Sequence, residues 1–270
     1  MFLTRISTTN GPQWALDGAL LPPAFSLGLL LELPRAVYGE VLDAMVTDEP
    51  APEADLAPVE LMHEVWASGV TYLRSRDARQ AESESGDIYA RVYTAERPEL
   101  FMKAVGWRVM GPNDPIRVRP DSAWNVPEPE LTLVINRHKE IVGYCAGNDV
   151  SSRSIEGANP LYLPQAKVYT GSCALGPGIQ LVGPDEMREL PIKMQIFRDG
   201  EQLFFGETDI TQMKRVFEEL VDYLYRELAF PRGVFLMTGT GIVPPDDFTL
   251  RVGDLVKVVV GEMTLTNQVA

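Results

Sequence analysis

From residue 130 to its end, the sequence is a series of short β-branched and apolar runs separated by turn residues. The runs are LTLVIN, IVGYCAG, GIQLV, IKMQIF, EQLFF and LRVGDLVKVVVGEMTLTNQV. Runs of this composition predict strands, and the pair Asp199-Gly200 between two of them is typical of a two-residue hairpin turn. The apolar spacing over residues 212–228 predicts one helix among the strands. We therefore expect a β-rich α+β fold.

The first 70 residues have a different character from the rest of the chain. Residues 34–46 predict a helix, and the proline- and acid-rich stretch at 48–58 is typical of a linker or a surface excursion. We expect a small N-terminal domain over residues 1–70 and a catalytic domain over residues 71–270. Within the catalytic domain, the charged segment 71–104 is predicted to form a cap.

The composition limits both the partners and the chemistry. Lys and Arg number 24 against 38 Asp and Glu, a net charge of −14, which disfavours nucleic acid because its phosphates would be repelled. No run approaches the roughly 18 apolar residues of a membrane span, so we expect no membrane partner. The first residues, MFLTRISTTNGP, carry no apolar leader, and we expect a cytoplasmic protein. With only His63 and His138, any metal must be held by carboxylates.

The segment PEPELTLVINRHKEIVGYCAGND holds the carboxylates best placed for chemistry. Glu128 and Glu130 are two residues apart, so in an extended chain their side chains point to the same face. The runs LTLVIN and IVGYCAG flank residues 137–140, which predict a four-residue hairpin loop. In that register Asn136 pairs with Ile141.

The same register places Asp149 directly opposite Glu128. Directly opposed residues of an antiparallel pair project to one face, so Glu128, Glu130 and Asp149 are predicted to form a three-carboxylate cluster. Such a cluster repels itself unless a cation neutralises it. Mg²⁺ suits an open carboxylate site, with Mn²⁺ or Ca²⁺ as substitutes. The alternative is that Glu128 and Glu130 are solvent-exposed charges near the start of a strand, with no role in chemistry.

Two longer runs resemble the fumarylacetoacetate hydrolase superfamily. They are GYCAGNDVSSRSIEGANPLYLPQAKVYTGSCALGPGI at 143–179 and LMTGTGIVPPDDFTLRVGDLVKVVVGEMTLTNQV at 236–269. Members carry E-x-E, an N-D-x-S-x-R segment, a lysine before a Gly-Pro loop, and a later T-G-T-G loop. The resemblance covers roughly residues 70–270. It implies a mixed β-sandwich or roll of the superfamily type, and assembly into a homodimer or homotetramer.

Carried over residue by residue, the resemblance implies roles for five positions. Glu128, Glu130 and Asp149 match the metal ligands of the superfamily. Lys167 matches its active-site lysine, and Thr240 matches the threonine that contacts the carboxylate of the substrate. Lys167 is either the base that removes a C3 proton or a cation that binds the substrate, and we favour the second role.

Four further residues are candidates for the site. Arg153 either reaches a substrate hydroxyl or, as we favour, orients the metal ligands. Glu156 is a candidate for substrate binding, although many relatives carry glutamine there. Glu96 and Glu99 are candidates for the acid that assists a leaving hydroxyl, and surface charge at a helix start is the alternative.

Within the superfamily, the segments TYLRSRDARQAESES, VYTAERPELFMKA and LPQAKVYTGSCALGPGI resemble the sugar-acid lyases. This resemblance implies a Mg²⁺-dependent dehydratase of a small 2-keto acid, a 2-keto-3-deoxypentonate that yields 2-oxoglutarate semialdehyde. Two alternatives stay open: a C–C bond hydrolase of acylpyruvate or fumarylacetoacetate type, and a non-catalytic binding protein of the same fold. The hydrolase is disfavoured because TYLRSRDARQAES lacks the histidine with which hydrolytic members activate water.

Overall fold

The computed structural model of the chain describes residues 1–82 and 86–270. Its strands are β1 (Phe2–Thr8), β2 (Gly11–Leu16), β3 (Ala19–Leu20), β4 (Glu64–Gly69), β5 (Glu99–Val105), β6 (Asn125–Val126), β7 (Pro129–Ile135), β8 (Ile141–Asp149), β9 (Ser151–Ser152), β10 (Cys173–Gln180), β11 (Pro191–Arg198), β12 (Glu201–Asp209), β13 (Val234–Met237), β14 (Leu255–Val260) and β15 (Met263–Gln268). Its α-helices are α1 (Leu27–Leu30), α2 (Tyr38–Met45), α3 (Leu73–Glu82), α4 (Gly86–Thr94), α5 (Arg153–Ala158), α6 (Leu163–Lys167) and α7 (Phe217–Leu224). Short 3₁₀ turns lie at Arg35–Val37, Gly106–Arg108, Pro160–Tyr162, Pro184–Met187 and Ile210–Gln212. Among these helices of the described residues, none is both long and apolar enough to cross a membrane.

The described strands form one large sheet, one smaller sheet and one short pair. The large sheet has nine strands in the order β3-β2-β1-β10-β8-β7-β13-β4-β5. The smaller sheet has the order β12-β11-β14-β15, and β6 pairs with β9. Neighbours in the large sheet are antiparallel except β13 and β4, which are parallel. The architecture confirms the predicted β-rich α+β class.

Strand β7 contributes to two hydrophobic cores because successive side chains of a strand alternate between its faces. Leu131 packs into one core with Met194 of the smaller sheet. Val134 packs into the other core, with Leu27 of α1 and Leu42 of α2. Both faces of the large sheet are covered here, which explains the uninterrupted apolar run LTLVI. The strand ends that carry the carboxylates are thereby held in a buried part of the sheet.

The N-terminal segment contributes strands to the large sheet. Leu3 of β1 lies opposite Ile179 of β10, and β4 lies beside β13. The helix expected at 34–46 is found as the 3₁₀ turn Arg35–Val37 followed directly by α2. The division of the chain near residue 70 stays a prediction, and the large sheet runs across it.

The hairpin turn predicted at Asp199-Gly200 joins β11 to β12. Both residues have left-handed backbone, with φ of 50° and 84°, as a two-residue turn of this kind requires. The smaller sheet can therefore fold back on itself without a longer loop.

The helix predicted over residues 212–228 is shorter in the structure, where α7 spans Phe217–Leu224. The chain before α7 is held by the segment that precedes α3. The backbone N–H of Lys214 donates to the carbonyl of Thr71 at 2.9 Å, and Met213 forms a bridge with Tyr72. These pairings need extended backbone, so they prevent the helix from beginning at residue 212.

Candidate metal centre and active site

The β7–β8 hairpin brings three carboxylates together at its open end. Glu130 lies opposite Gly147, and the backbone N–H of Asp149 donates to the carbonyl of Glu128 at 2.9 Å. Asp149 is therefore opposite Glu128, in the register that the sequence predicts. Carboxylate oxygens of Glu128, Glu130 and Asp149 lie within 4.8 Å of one another, and all three residues are buried. This donor set fits a hard divalent cation, which prefers oxygen ligands.

At the closed end of the hairpin the predicted register is wrong by one residue. Ile141 pairs with Ile135, after a shift in the ladder next to Val134. The predicted pairing of Asn136 with Ile141 does not form, because the Asn136 side chain closes a tighter turn. Its Oδ1 accepts from the N–H groups of His138 at 2.9 Å and Glu140 at 3.0 Å.

Glu130 is the carboxylate with the strongest electrostatic conflict. Burial, followed by the negative charges of Asp149 and Glu128, raises its pKa well above the ordinary value of a glutamate. Its Oε2 accepts one hydrogen bond, from the backbone N–H of Gly239 at 2.6 Å. A cation placed among the three carboxylates would relieve this conflict.

Glu128 is surrounded by cations. Arg79 Nη2 lies 2.8 Å from its Oε1, Lys167 Nζ lies 3.0 Å from the same atom, and Arg153 Nη2 lies 3.5 Å from it. The hydroxyl of Ser151 also donates to this oxygen, at 2.6 Å. Burial alone would raise the pKa of Glu128, but these positive charges, Arg79 foremost, hold it well below its ordinary value.

Asp149 lies between two buried lysines. Lys167 Nζ is 3.0 Å from its Oδ2, and Lys103 Nζ is 2.5 Å from its Oδ1. Lys103 also donates to the backbone carbonyls of Val150 at 3.2 Å and Lys167 at 2.5 Å. Lys103 therefore links Asp149 to the segment that carries Lys167.

Lys167 is a cation in this arrangement. Burial would lower its pKa, but the carboxylates of Asp149 and Glu128 raise it above the ordinary value of a lysine. The raised pKa keeps Lys167 protonated beside the two carboxylates, and its role as a substrate-binding ammonium stays a prediction.

A narrow cavity lies against the three carboxylates. It is lined by Ser68, Gly69, Val70, Ser75, Arg79, Glu99, Phe101, Glu128, Glu130, Asp149, Glu156, Leu163, Lys167, Gly239 and Thr240. Charged and hydroxyl-bearing side chains thus surround a small space at the metal-ligand candidates, and carboxyl groups outnumber cations in this lining, which favours the binding of a cation.

Glu99 and Glu156 form a carboxyl pair in this cavity. Arg79 binds Glu156 through Nη1 while its Nη2 contacts Glu128. Burial, and next the negative charge of Glu156, raises the pKa of Glu99 to about 7. The two carboxyls therefore have different environments: Glu156 is ion-paired with Arg79, and the environment of Glu99 favours its protonated form.

The remaining predicted residues lie in different places. Thr240 lines the cavity, and its Oγ1 accepts from the N–H of Ile242 at 3.1 Å. Arg153 is buried beside Glu128 without lining the described part of the cavity. Glu96 lies outside the cavity, exposed, with its Oε1 accepting from the hydroxyl of Tyr223 at 3.3 Å. Of the two candidates for the acid, the structure brings only Glu99 to the carboxylates.

The sequence reasoning missed Arg79 and Lys103. Arg79 lies on α3, within a charged helix where nothing distinguishes it from its neighbours. Lys103 carries a weak signal, since it interrupts the apolar stretch FMKAVG and is 1% exposed in the structure. A lysine in the middle of a buried strand needs a partner, and that partner is 46 residues away in the chain.

Neither histidine of the chain reaches the cavity. The Nδ1 of His63 accepts from the N–H of Glu60 at 3.0 Å, and its Nε2 lies 2.9 Å from the carbonyl of Arg232. His138 is at the closed end of the hairpin, where its Nε2 lies 3.0 Å from the carbonyl of Glu32. A histidine base for water is therefore absent from the described cavity.

Comparisons with known proteins place the chain among relatives of one family. Residues 64–270 match the family model described as fumarylacetoacetate (FAA) hydrolase, C-terminal. A Haloferax volcanii protein named probable 2-keto-3-deoxyxylonate dehydratase is 47% identical over 234 residues, 85% of this chain and 78% of that protein. The 2-dehydro-3-deoxy-D-arabinonate dehydratase of Saccharolobus solfataricus is 42% identical over 207 residues, 74% of this chain and 69% of that protein.

A solved structure extends the likeness to the whole fold. A 2-keto-3-deoxy-D-arabinonate dehydratase complexed with magnesium and 2,5-dioxopentanoate superposes with a TM-score of 0.78 at 34% identity. The match covers 100% of this chain and 98% of that one. The expected fold type is thereby confirmed.

Proposed function

We propose that this chain, which belongs to the fumarylacetoacetate hydrolase family, is a Mg²⁺-dependent dehydratase of 2-keto-3-deoxy sugar acids. The substrate is a 2-keto-3-deoxypentonate, which loses one water and yields 2-oxoglutarate semialdehyde, also named 2,5-dioxopentanoate. The observation that carries the proposal is the buried cluster of Glu128, Glu130 and Asp149 beside the carboxyl pair of Glu99 and Glu156. The names of the relatives from Haloferax volcanii and Saccharolobus solfataricus support the same reaction.

Three carboxylates of the chain would hold the metal: Glu128, Glu130 and Asp149. Bound there, Mg²⁺ would supply Lewis-acid stabilisation of the negative charge that develops on a 2-keto acid when its C3 proton is removed. Lys167 contributes a second positive charge on the same side of the cavity. In this proposal Arg153 orients Glu128 through the contact at 3.5 Å, and Thr240, which lines the cavity, binds the substrate carboxylate.

The carboxyl pair supplies the two proton transfers of a dehydration. Glu156, held by Arg79, accepts the proton from C3. Glu99 donates a proton to the hydroxyl on C4 as the C4–O bond breaks, so that the hydroxyl leaves as water. The unsaturated product then tautomerises to the semialdehyde. Groups with opposed environments, such as these two carboxyls, are the usual basis of acid and base roles in one site.

The two alternative functions lack such support. A C–C bond hydrolase of acylpyruvate type needs an activated water, and the described cavity contains no histidine to activate it. A non-catalytic binding protein would show no EDTA-sensitive turnover of any 2-keto acid, which separates it from the dehydratase by experiment.

The experiment is a panel of 2-keto-3-deoxy sugar acids incubated with the protein and Mg²⁺, with semialdehyde measured through a coupled aldehyde dehydrogenase. We expect turnover of at least one pentonate, its loss in EDTA, and its recovery when excess Mg²⁺ is added. Absence of turnover across the panel would reject the dehydratase. Turnover that EDTA leaves unchanged would reject the metal centre.

Assembly and location complete the proposal. The outer face of the smaller sheet exposes Phe205 and Leu255, apolar side chains suited to contact with a second copy. We expect a homodimer or homotetramer, and light scattering that reports a 29.9 kDa monomer at micromolar concentration would contradict it. Cys145 and Cys173 are both buried free thiols, which suits the reducing cytoplasm.

A further inference from the structure

Gly69 and Glu99 are direct partners across two antiparallel strands. Gly69 is the last residue of β4 and Glu99 is the first residue of β5, and the two lie opposite each other in the ladder. Both also line the cavity. Opposed residues of an antiparallel pair share a face, so any side chain at position 69 would compete with Glu99 for the same space.

The space above Gly69 is filled by the carboxyl of Glu99. A Cβ added to Gly69 would overlap Glu99 Oε2, lie 2.7 Å from its Cδ and lie 3.3 Å from its Cγ. The Glu99 side chain therefore lies across strand β4, against the Cα of the glycine. The Glu99 carboxyl can occupy this position only because residue 69 has no side chain.

The backbone around Gly69 is fixed in place. The hydroxyl of Ser68 donates to the carbonyl of Met237 at 2.9 Å, and the hydroxyl of Thr71 donates to the carbonyl of Thr238 at 2.7 Å. Between them, Val70 has a φ of 54°, a conformation that β-branched residues rarely adopt. The turn is thus anchored on both sides, and a side chain at position 69 would displace Glu99 rather than the backbone.

We propose that Gly69 is a positioning residue for the dehydration step, because its missing side chain lets the Glu99 carboxyl lie across β4 at the C4 hydroxyl of the substrate. The inference rests on the proposed dehydratase activity. Gly69 touches no reacting atom and acts only through Glu99. Its replacement should impair the loss of the hydroxyl while leaving the removal of a C3 proton intact.

The test is Gly69→Ala measured in two reactions. Dehydration of the pentonate needs both proton transfers, whereas deuterium exchange at C3 of 2-oxobutanoate in D₂O needs only the base, since that compound has no C4 hydroxyl. We expect kcat for dehydration to fall about 10- to 100-fold, less than the roughly 10²- to 10⁴-fold contribution of a positioned general acid, because Glu99 is displaced and not removed. We expect the exchange rate to change by less than about threefold, a small free-energy difference.

Two further variants make the result specific. Gly39→Ala is the matched control, since a Cβ there meets only Met1 Cε at 3.8 Å, and both reactions should keep their wild-type rates. In the double variant Gly69→Ala/Glu99→Ala the methyl group has no carboxyl to displace. Its dehydration rate should therefore equal that of Glu99→Ala, a non-additive pair.

The outcomes separate this inference from the proposed function. Equal losses in dehydration and exchange, additive effects in the double variant, or unchanged dehydration in Gly69→Ala would overturn the positioning role. If the wild-type protein dehydrates no sugar acid, the proposed function fails. A crystal structure of Gly69→Ala then tests separately whether a side chain at position 69 displaces Glu99. A displaced Glu99 carboxyl would then support the steric claim, and an unmoved one would reject it.

Discussion

The two ends of the β7–β8 hairpin use carboxylates in opposite ways. At the open end Glu128, Glu130 and Asp149 face one another, and the pKa of Glu130 is raised by burial and by its two neighbours. At the closed end Glu140 accepts hydrogen bonds from Arg35 N at 2.8 Å and Asn136 Nδ2 at 2.6 Å. Those two donors, the backbone N–H of Arg35 first, lower the pKa of Glu140.

The difference separates a structural carboxylate from a functional one on the same pair of strands. The closed end satisfies its polar groups with the chain itself: Asn136 bonds to three other backbone positions and to Glu140. The open end concentrates like charges that only cations relieve. We infer that the closed end contributes to stability and the open end to chemistry.

The largest effect is expected from Asp149→Asn. The change removes one anionic ligand but preserves the volume of the side chain, so the fold should persist. Loss of partners outside the ligand shell already weakens metal sites by about 10- to 100-fold, so loss of a ligand should abolish measurable Mg²⁺ binding and, with it, dehydration. Titration calorimetry measures the affinity, and circular dichroism checks the fold.

Glu140→Gln is the matched control, because it makes the same carboxylate-to-amide change at the other end of the hairpin. It should keep wild-type Mg²⁺ affinity and dehydration rate. If Asp149→Asn bound Mg²⁺ as the wild type does, Asp149 would not be a ligand, and the contrast between the two ends would collapse.

A smaller effect is expected at Glu99, which must be protonated to act as an acid. Since its pKa is raised to about 7, the active form predominates below that pH and is lost above it. We expect kcat/KM for dehydration to fall as pH rises through about 7. In Glu99→Gln, kcat should drop by about 10²- to 10⁴-fold and this alkaline limb should disappear. A limb that persists in the variant would assign it to another group.

The smallest effect on catalysis is expected from Asn136→Ala at the closed end. The variant leaves the N–H groups of His138 and Glu140 and the carbonyl of Leu33 without their bonds. Unfolding by urea should show a loss of about 1–3 kcal/mol in the free energy of unfolding. The dehydration rate of the folded variant should stay at the wild-type value, and a large fall would show that the closed end also serves the site.

The sequence predicts the open end of the hairpin well and the closed end poorly. By itself, an error of one residue at the turn would move Asp149 to the other face of the sheet. The register shift beside Val134 compensates for that error, so Glu128, Glu130 and Asp149 keep the predicted pairing. The actual turn depends on the Asn136 side chain, which bonds to Leu33 O at 3.0 Å, a contact 103 residues away in the chain. Local turn rules do not contain that contact.

The cations of the site could not be predicted in the same way. Arg79 and Lys103 reach the carboxylates from α3 and β5, and the positions of these elements depend on the order of strands in the large sheet. The helix expected at 212–228 was overextended for a related reason, since Thr71 pairs with Lys214 across the fold. The periodicity of apolar residues identifies helices and strands, but long-range pairing decides where they end and which residues they face.

The central claim is that the open end of the hairpin serves dehydration and not hydrolysis. The most direct test compares two rates on one Mg²⁺-loaded sample. Semialdehyde formation from a 2-keto-3-deoxypentonate is followed through a coupled dehydrogenase, and acylpyruvate cleavage is followed by the loss of its absorbance. We expect faster dehydration, because Glu99 and Glu156 supply both proton transfers and no histidine lines the described cavity. Faster cleavage of the acylpyruvate would contradict it.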